Sequence, residues 1–229
     1  MPKKFNIKLL KKNELSSQLY SFKFEKPFVF KAGQFVSFVV ADKVKRYYSI
    51  ASAPYEVHLE LLVNTDPGGP GSKYFEKIEE GDSAEVMGPM GNFNFKSAGD
   101  VNFICTGTGL APCISMIKEQ LNQGYNGKLH LLFGTRYEKD VLKEKELGQL
   151  VNTYPNLSVT FSVTRPTQNW NIVDSGQLKR LTGRVTEHIA ELPEDSDYYI
   201  CGVKDMLESV RQKLGDVGVA KDKIFFEQY

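Results

Sequence analysis

The apolar pattern of this chain changes once along its length, and the change limits the fold to two dissimilar halves. Before residue 97 the apolar residues fall in short, often alternating runs: Phe5–Leu10, Tyr20–Phe24, Gln34–Val40, Tyr47–Ala51, Val57–Val63 and Ser83–Met87. Turn-forming residues separate them, at Lys12-Asn13, Pro27, Ala53-Pro54 and Asp66-Pro67-Gly68-Gly69. Short strands at this spacing predict a small antiparallel β-barrel. One helix, Ser72 to Ile78, interrupts it, with Tyr74, Phe75 and Ile78 at helical spacing. From Val101 onward strands alternate with helices. Strands are expected at Val101–Cys105, Leu129–Phe133, Leu157–Val163, Tyr198–Cys201 and Ile224–Phe226, and helices at Ala111–Gln123, Leu142–Tyr154, Val185–Glu191 and Lys204–Leu214. That alternation predicts an α/β domain with a parallel sheet covered on both faces. Ser97-Ala98-Gly99-Asp100 is the junction, giving domains 1–98 and 99–229.

Charge and cysteine content narrow the class of function. Lys plus Arg number 29 against 28 Asp plus Glu, so no global field marks a nucleic-acid or membrane partner. No apolar run approaches a transmembrane length, and the basic N-terminus lacks the apolar core of a signal peptide. Cys105, Cys113 and Cys201 make no disulfide framework and are too few for the thiolates an iron–sulfur cluster usually takes. A reducing cytoplasm is the expected location. His58, His130 and His188 are scattered without metal-ligand spacing, so no metal is expected.

Arg46-Tyr47-Tyr48-Ser49 closes an apolar strand with a cation, two phenol rings and a hydroxyl. A planar redox ring with a phosphorylated tail needs that set of groups. An amphipathic strand with exposed tyrosines would read the same way. Strand alternation points Arg46 and Tyr48 to one side, Tyr47 and Ser49 to the other. Gly71-Ser72-Lys73 opens the interrupting helix, where free N–H groups and the helix dipole favour phosphate; Ser72 is equally an ordinary N-cap.

Two-glycine spacing recurs in Thr106-Gly107-Thr108-Gly109-Leu110-Ala111-Pro112, which runs from a strand into a helix. Such a first βα turn lets the backbone approach a pyrophosphate, although the third glycine of the usual fingerprint is missing. Thr135-Arg136 and Thr164-Arg165 follow the next two strands, and these hydroxyl–guanidinium pairs suit a ribose or its 2′-phosphate. Each arginine is also readable as a solvated surface residue. Cys201-Gly202 ends the fourth strand, where a small sulfur suits either a nicotinamide face or plain core.

In this order the pieces resemble the ferredoxin–NADP reductase superfamily. Arg46-Tyr47-Tyr48-Ser49 is similar to its flavin motif R-x-Y-S, Gly69-Pro70-Gly71-Ser72 to its flavin-pyrophosphate loop, and Gly88-Pro89-Met90-Gly91 to the turn closing its flavin domain. The GTGLAP string at 107–112 resembles its nicotinamide-pyrophosphate loop, and Phe133–Leu142, Cys201–Met206 and Glu227-Gln228-Tyr229 resemble its later stations. The resemblance implies an FAD-binding barrel at 1–98 and an NAD(P)-binding domain at 99–229. It implies hydride transfer between NAD(P)H and FAD, and single electrons to or from a separate acceptor: a ferredoxin, a flavodoxin or an oxygenase component. It also implies roles. Arg46, Gly71 and Ser72 would hold the flavin pyrophosphate, Tyr48 would stack on the isoalloxazine, and Ser49 would hydrogen-bond near its N5. Leu62 and Val63 would offer backbone contacts. Thr106, Gly107, Thr108 and Gly109 would wrap the nicotinamide pyrophosphate. Cys201 and Glu227 would flank the reacting ring, and Tyr229 would cover the flavin.

Thr164-Arg165-Pro166 is nearer the Ser-Arg of NADP-specific relatives than the Asp-Arg-Pro of NADH-preferring ones, and with Arg136, Lys179 and Arg180 it favours NADP over NAD. FAD is favoured over FMN. The alternatives are an NADH-dependent reductase component of an oxygenase system and a flavin electron-transfer subunit of a larger complex.

Overall fold

The computed structural model describes residues 2–168 and 170–228. Two compact units are present, Met1–Phe95 with Ala111–Asn122, and Lys96–Leu110 with Gln123–Tyr229.

The first unit is built on β1 (Lys3–Ser16), β2 (Leu19–Glu25), β3 (Phe35–Ala41), β4 (Val44–Ser49), β5 (His58–Asn64) and β6 (Ser83–Met90), with helix α1 (Pro70–Lys77) between the last two. All pairings are antiparallel in the order β4-β3-β6-β1-β2-β5. An antiparallel bridge between Ile50 and Leu61 joins the two outer strands and closes the barrel. Alternate residues point inward: Phe22 and Phe24 on β2 and Val36 and Phe38 on β3 are fully buried with Phe75 of α1.

The turn expected at Lys12-Asn13 lies instead at Ser17-Gln18, where Gln18 takes φ 65°. Lys12 stays in register opposite Phe22. Its ammonium donates to Glu76 O at 2.7 Å and Ile78 O at 3.1 Å, satisfying carbonyls at the C-terminal end of α1. A lysine that reads as turn chemistry is therefore a helix C-cap supplied from a strand.

The second unit holds β7 (Val101–Thr106), β8 (Leu129–Thr135), β9 (Leu157–Val163), β10 (Val173–Asp174), β11 (Leu178–Thr182), β12 (Asp197–Gly202) and β13 (Ile224–Gln228). Helix α2 (Leu110–Asn122) follows β7 in the chain, but from Ala111 onward it groups with the first unit; α3 (Glu144–Thr153) precedes β9 and α4 (Lys204–Asp216) follows β12. The order is β10-β11-β9-β8-β7-β12-β13, parallel throughout except for the β10–β11 pair.

Two features depart from the sequence pattern. Strands β10 and β11 were not expected, because Leu178-Lys179-Arg180-Leu181 spaces its apolar residues by three rather than two. The helix expected at Val185–Glu191 is two 3₁₀ turns, Val185–Glu187 and Ile189–Glu191, separated at His188 (φ −104°, ψ 2°) and stopped before Pro193. Val185 and Ile189 are buried as a helical stripe would be.

Candidate cofactor sites

In the first unit, β4 presents its motif as the alternation predicts. Phe38 pairs with Arg46, Val36 with Tyr48 and Phe35 with Ser49. The Tyr48 ring packs on Phe38 at 5.7 Å and Phe75 at 4.8 Å between centroids. Burial pushes its phenol up to about 12, against an opposing pull from the Arg46 guanidinium. Tyr47 lies on the other face, 66% exposed, with its ring edge-on to Phe35 at 5.5 Å. Helix α1 begins with Gly69 as N-cap and Pro70 at its first position, so Ser72 is inside the first turn rather than capping it. A Cβ at Gly71 would collide with the Tyr48 hydroxyl and lie 3.3 Å from Arg46 Cγ. The glycine keeps the start of α1 pressed against Tyr48 and the aliphatic stem of Arg46. Ser72 is 7% exposed and Lys73 is exposed. The Arg46 Nη1 donates to Lys45 O at 2.8 Å, an exposed contact easily exchanged for an anion. Leu62 and Val63 bury their side chains in β5, the terminal strand of the sheet order, so their backbone is what they can offer. A cradle that a Cβ would fill, with a cation and a half-buried aromatic at a helix start, fits the pyrophosphate and ring of FAD.

In the second unit the named residues gather at the carboxyl ends of the parallel strands, the edge where such sheets take dinucleotides. Thr106 ends β7, and Gly107 (φ 54°) starts a 3₁₀ turn, Gly107–Gly109, that leads into α2. Thr108 is half-buried and Gly109 buried. Thr106 is closely walled. A Cβ at Gly134 would lie 3.2 Å from its Cγ2 and 2.5 Å from Val185 Cγ1, and one at Gly202 would lie 2.7 Å from its Oγ1. Gly134 therefore stands directly against Thr106, although its motif gave no separate signal for it. The β8 and β9 ends are bonded to each other: Thr164 N donates to Thr135 O at 3.1 Å and Arg165 N to Arg136 O at 2.8 Å. Arg136 and Arg165 are exposed, and Arg165 Nη1 reaches the Tyr137 hydroxyl at 3.5 Å. Tyr137 was not singled out from sequence, although it directly follows Arg136.

Lys179 and Arg180 do not join this pair. Both lie within β11, opposite Thr160 and Phe161 rather than at the strand end. Lys179 pairs with Asp174 at 3.1 Å, and Arg180 pairs with Glu144 and stacks over Trp170 at 5.5 Å. Cys201 stands in register between Cys105 on β7 and Glu227 on β13. It is 1% exposed, whereas Glu227 is half-buried. Tyr229 lies outside the described residues. No described helix is long and apolar enough to cross a membrane.

Comparison with known proteins gives these sites a family. The oxidoreductase FAD-binding domain family matches residues 6–95, and the oxidoreductase NAD-binding domain family matches residues 103–212. Ferredoxin–NADP reductase B of Sorangium cellulosum is 32% identical over 98% of this chain and 97% of its own length. The ferredoxin–NAD(P)+ reductase component of the naphthalene 1,2-dioxygenase/salicylate 5-hydroxylase systems of Ralstonia is 30% identical over 90% of this chain, which spans 62% of that protein. Among solved structures, a ferredoxin–NADP+ reductase from Neisseria gonorrhoeae with bound FAD and NADP has the same fold, with TM-score 0.83 and 23% identity over 99% of this chain and 98% of that one. The two sites and their order along the chain define an NAD(P)H oxidoreductase that uses FAD. The chain belongs to the ferredoxin–NADP reductase family.

Proposed function

We propose that the chain moves electrons between NADPH and a separate one-electron redox protein. The observation that carries this reading is the Gly71 cradle against Arg46 and Tyr48, together with the walled Thr106 at the dinucleotide edge. FAD, when bound, would supply two-electron hydride chemistry toward the nicotinamide and one-electron chemistry toward the acceptor. The chain's own residues bind and orient. Arg46, Gly71 and Ser72 would hold the flavin pyrophosphate, Tyr48 would stack on its ring with Tyr47 beside it in the motif, and Ser49 would hydrogen-bond near N5. Backbone groups of Leu62 and Val63 steady the ribityl chain. Thr106, Gly107, Thr108 and Gly109 wrap the nicotinamide pyrophosphate, and Thr135, Arg136, Thr164 and Arg165 grip the ribose and its 2′-phosphate. Cys201, Gly202 and Glu227 line the nicotinamide position. Residues 1–98 serve as the FAD-binding domain and 99–229 as the NAD(P)-binding domain.

The acceptor is a ferredoxin, a flavodoxin or an oxygenase component; similarity to the Sorangium reductase favours the first and to the Ralstonia component the last. Three free cysteines suit a cytoplasmic location. The test is anaerobic reduction of the purified protein with NADPH and with NADH, mass spectrometry of the released flavin, and then a panel of acceptor proteins. A colourless protein that fails to take up FAD would overturn the reading.

A further inference from the structure

Within the first unit, helix α2 is held by polar contacts that ordinary packing does not require. Ser115 and Lys118 lie three residues apart and share one face of the helix. Ser115 Oγ donates to Ser52 O at 2.6 Å, and Lys118 Nζ donates to Glu56 Oε2 at 2.6 Å. Ser52, Ser115 and Lys118 are 2%, 0% and 4% exposed. Burying an ammonium is costly unless it is paired, and apolar residues such as Ile114 and Ile117 already pack this helix.

The receiving loop is itself rigid. The bonded oxygen of Glu56 also accepts from Ala53 N, and Glu56 N donates to Ala53 O at 3.0 Å. Lys26 Nζ donates to Pro54 O at 2.8 Å and also to Glu56 O. The loop continues directly from Arg46–Ser49, fixed at its root by Ile50 N to Gln34 O at 3.0 Å and Ala51 N to Glu60 O at 2.8 Å. At its other end α2 begins at Leu110, the residue after Gly109. One helix is therefore continuous in the chain with the dinucleotide loop and bonded along its flank to the segment that follows the flavin motif.

We propose that Lys118 and Ser115 are positioning residues that couple nucleotide binding at Thr106–Gly109 to the Ala51–Glu56 segment behind the flavin motif. The proposal rests on the assignment of Thr106–Gly109 to the nucleotide. Ordering of that loop by a pyrophosphate restrains the first turn of α2, and the Lys118–Glu56 and Ser115–Ser52 contacts transmit the restraint. The linkage is reciprocal, so ordering of the Ala51–Glu56 segment favours nucleotide binding by the same factor.

The test is hydrogen–deuterium exchange on the FAD-loaded full chain with and without saturating NADP+. In the wild type, NADP+ should slow exchange at residues 106–112 and, by about fivefold, at residues 51–57, the lower range of measured couplings. Lys118→Met should keep the first protection and lose the second, and Lys118→Arg should keep both. Protection confined to 106–112 in the wild type, or undiminished at 51–57 in Lys118→Met, overturns the proposal. No protection at 106–112 in the wild type overturns the nucleotide assignment itself, and the proposal with it. If Lys118→Met fails to fold by circular dichroism, Ser115→Ala decides, since it removes a single hydroxyl: protection at 51–57 should drop, and an unchanged value overturns the coupling.

Discussion

The hydroxyl of Tyr48 occupies the space that a side chain at Gly71 would need. Two effects compete at this glycine. Alanine inside a helix is favoured over glycine by about 1 kcal/mol, while overpacking costs about 1–3 kcal/mol. Tyr48 is wedged against Phe38 and Phe75 and has little room to retreat, so the clash wins. Gly71→Ala should lower the melting temperature and the FAD-to-protein ratio. Adding Tyr48→Phe removes the blocking oxygen and should recover part of the melting temperature. If Gly71→Ala raises stability and keeps full flavin, the cradle is misassigned.

Arg165 is the second case. Its guanidinium is exposed and touches only the Tyr137 hydroxyl at 3.5 Å among its described side-chain contacts, so it is available to an anion. Losing a charged hydrogen-bond donor to a phosphate costs about 1.5–3 kcal/mol. Arg165→Ala should weaken NADPH by about tenfold or more, and NADH much less, since NADH lacks the 2′-phosphate. The wild type should show higher kcat/KM with NADPH. Steady-state kinetics with both nucleotides checks this, and a wild-type preference for NADH would refute it. Lys179→Ala should leave the NADPH to NADH ratio unchanged, because Lys179 is paired with Asp174 away from the strand end.

The placement of these two candidate sites in the fold was legible because their signals are local. Arg46–Ser49 lies on one strand, Thr106–Gly109 on one turn, and the change from alternating runs to strand–helix units marks both kinds of sheet. What stayed hidden depends on register or on distant partners. Lys179 and Arg180 counted as nucleotide cations while their position along β11 was unknown, and β11 itself was masked by a spacing of three. Lys12 read as a turn because its helix-capping role comes from residues 64 and 66 positions away. The Ser115–Ser52 and Lys118–Glu56 contacts span 63 and 62 positions. In sequence Lys118 is one more charge on a helix.

Tyr48 and Tyr198 should mark the alkaline limit of the fold. Burial is the main cause that raises both phenols to about 12, and Tyr198 also donates to Pro193 O at 2.6 Å. The folded state holds these protons more tightly than the unfolded chain, whose tyrosines titrate near 10. The resulting stability is complete below about pH 10 and is lost as the pH rises toward 12. Denaturant midpoints measured from pH 9 to 12 should fall over that interval, and less steeply in Tyr198→Phe. An identical slope in the variant would rule this tyrosine out as a source.

His130 sets the opposite limit. Its Nδ1 lies 3.2 Å from Asn102 Oδ1 and its Nε2 lies 3.0 Å from Thr160 Oγ1. The amide oxygen only accepts, so Nδ1 carries the proton and Nε2 receives the threonine hydroxyl. A second proton would have no acceptor unless Thr160 turned, and it would be carried in a desolvated site near the Lys179 charge. Burial first, and Lys179 second, lower the imidazole to about 4. Here the unfolded chain binds the proton more tightly, with an ordinary value near 6.5. Stability from the neutral ring is therefore complete above about pH 6.5 and fades as the pH drops through 4. Melting temperatures of the wild type should fall between pH 6.5 and 4, and His130→Gln should flatten that fall even if it starts from a lower plateau. A variant with the wild-type slope would show that other groups, chiefly carboxylates, control acid unfolding.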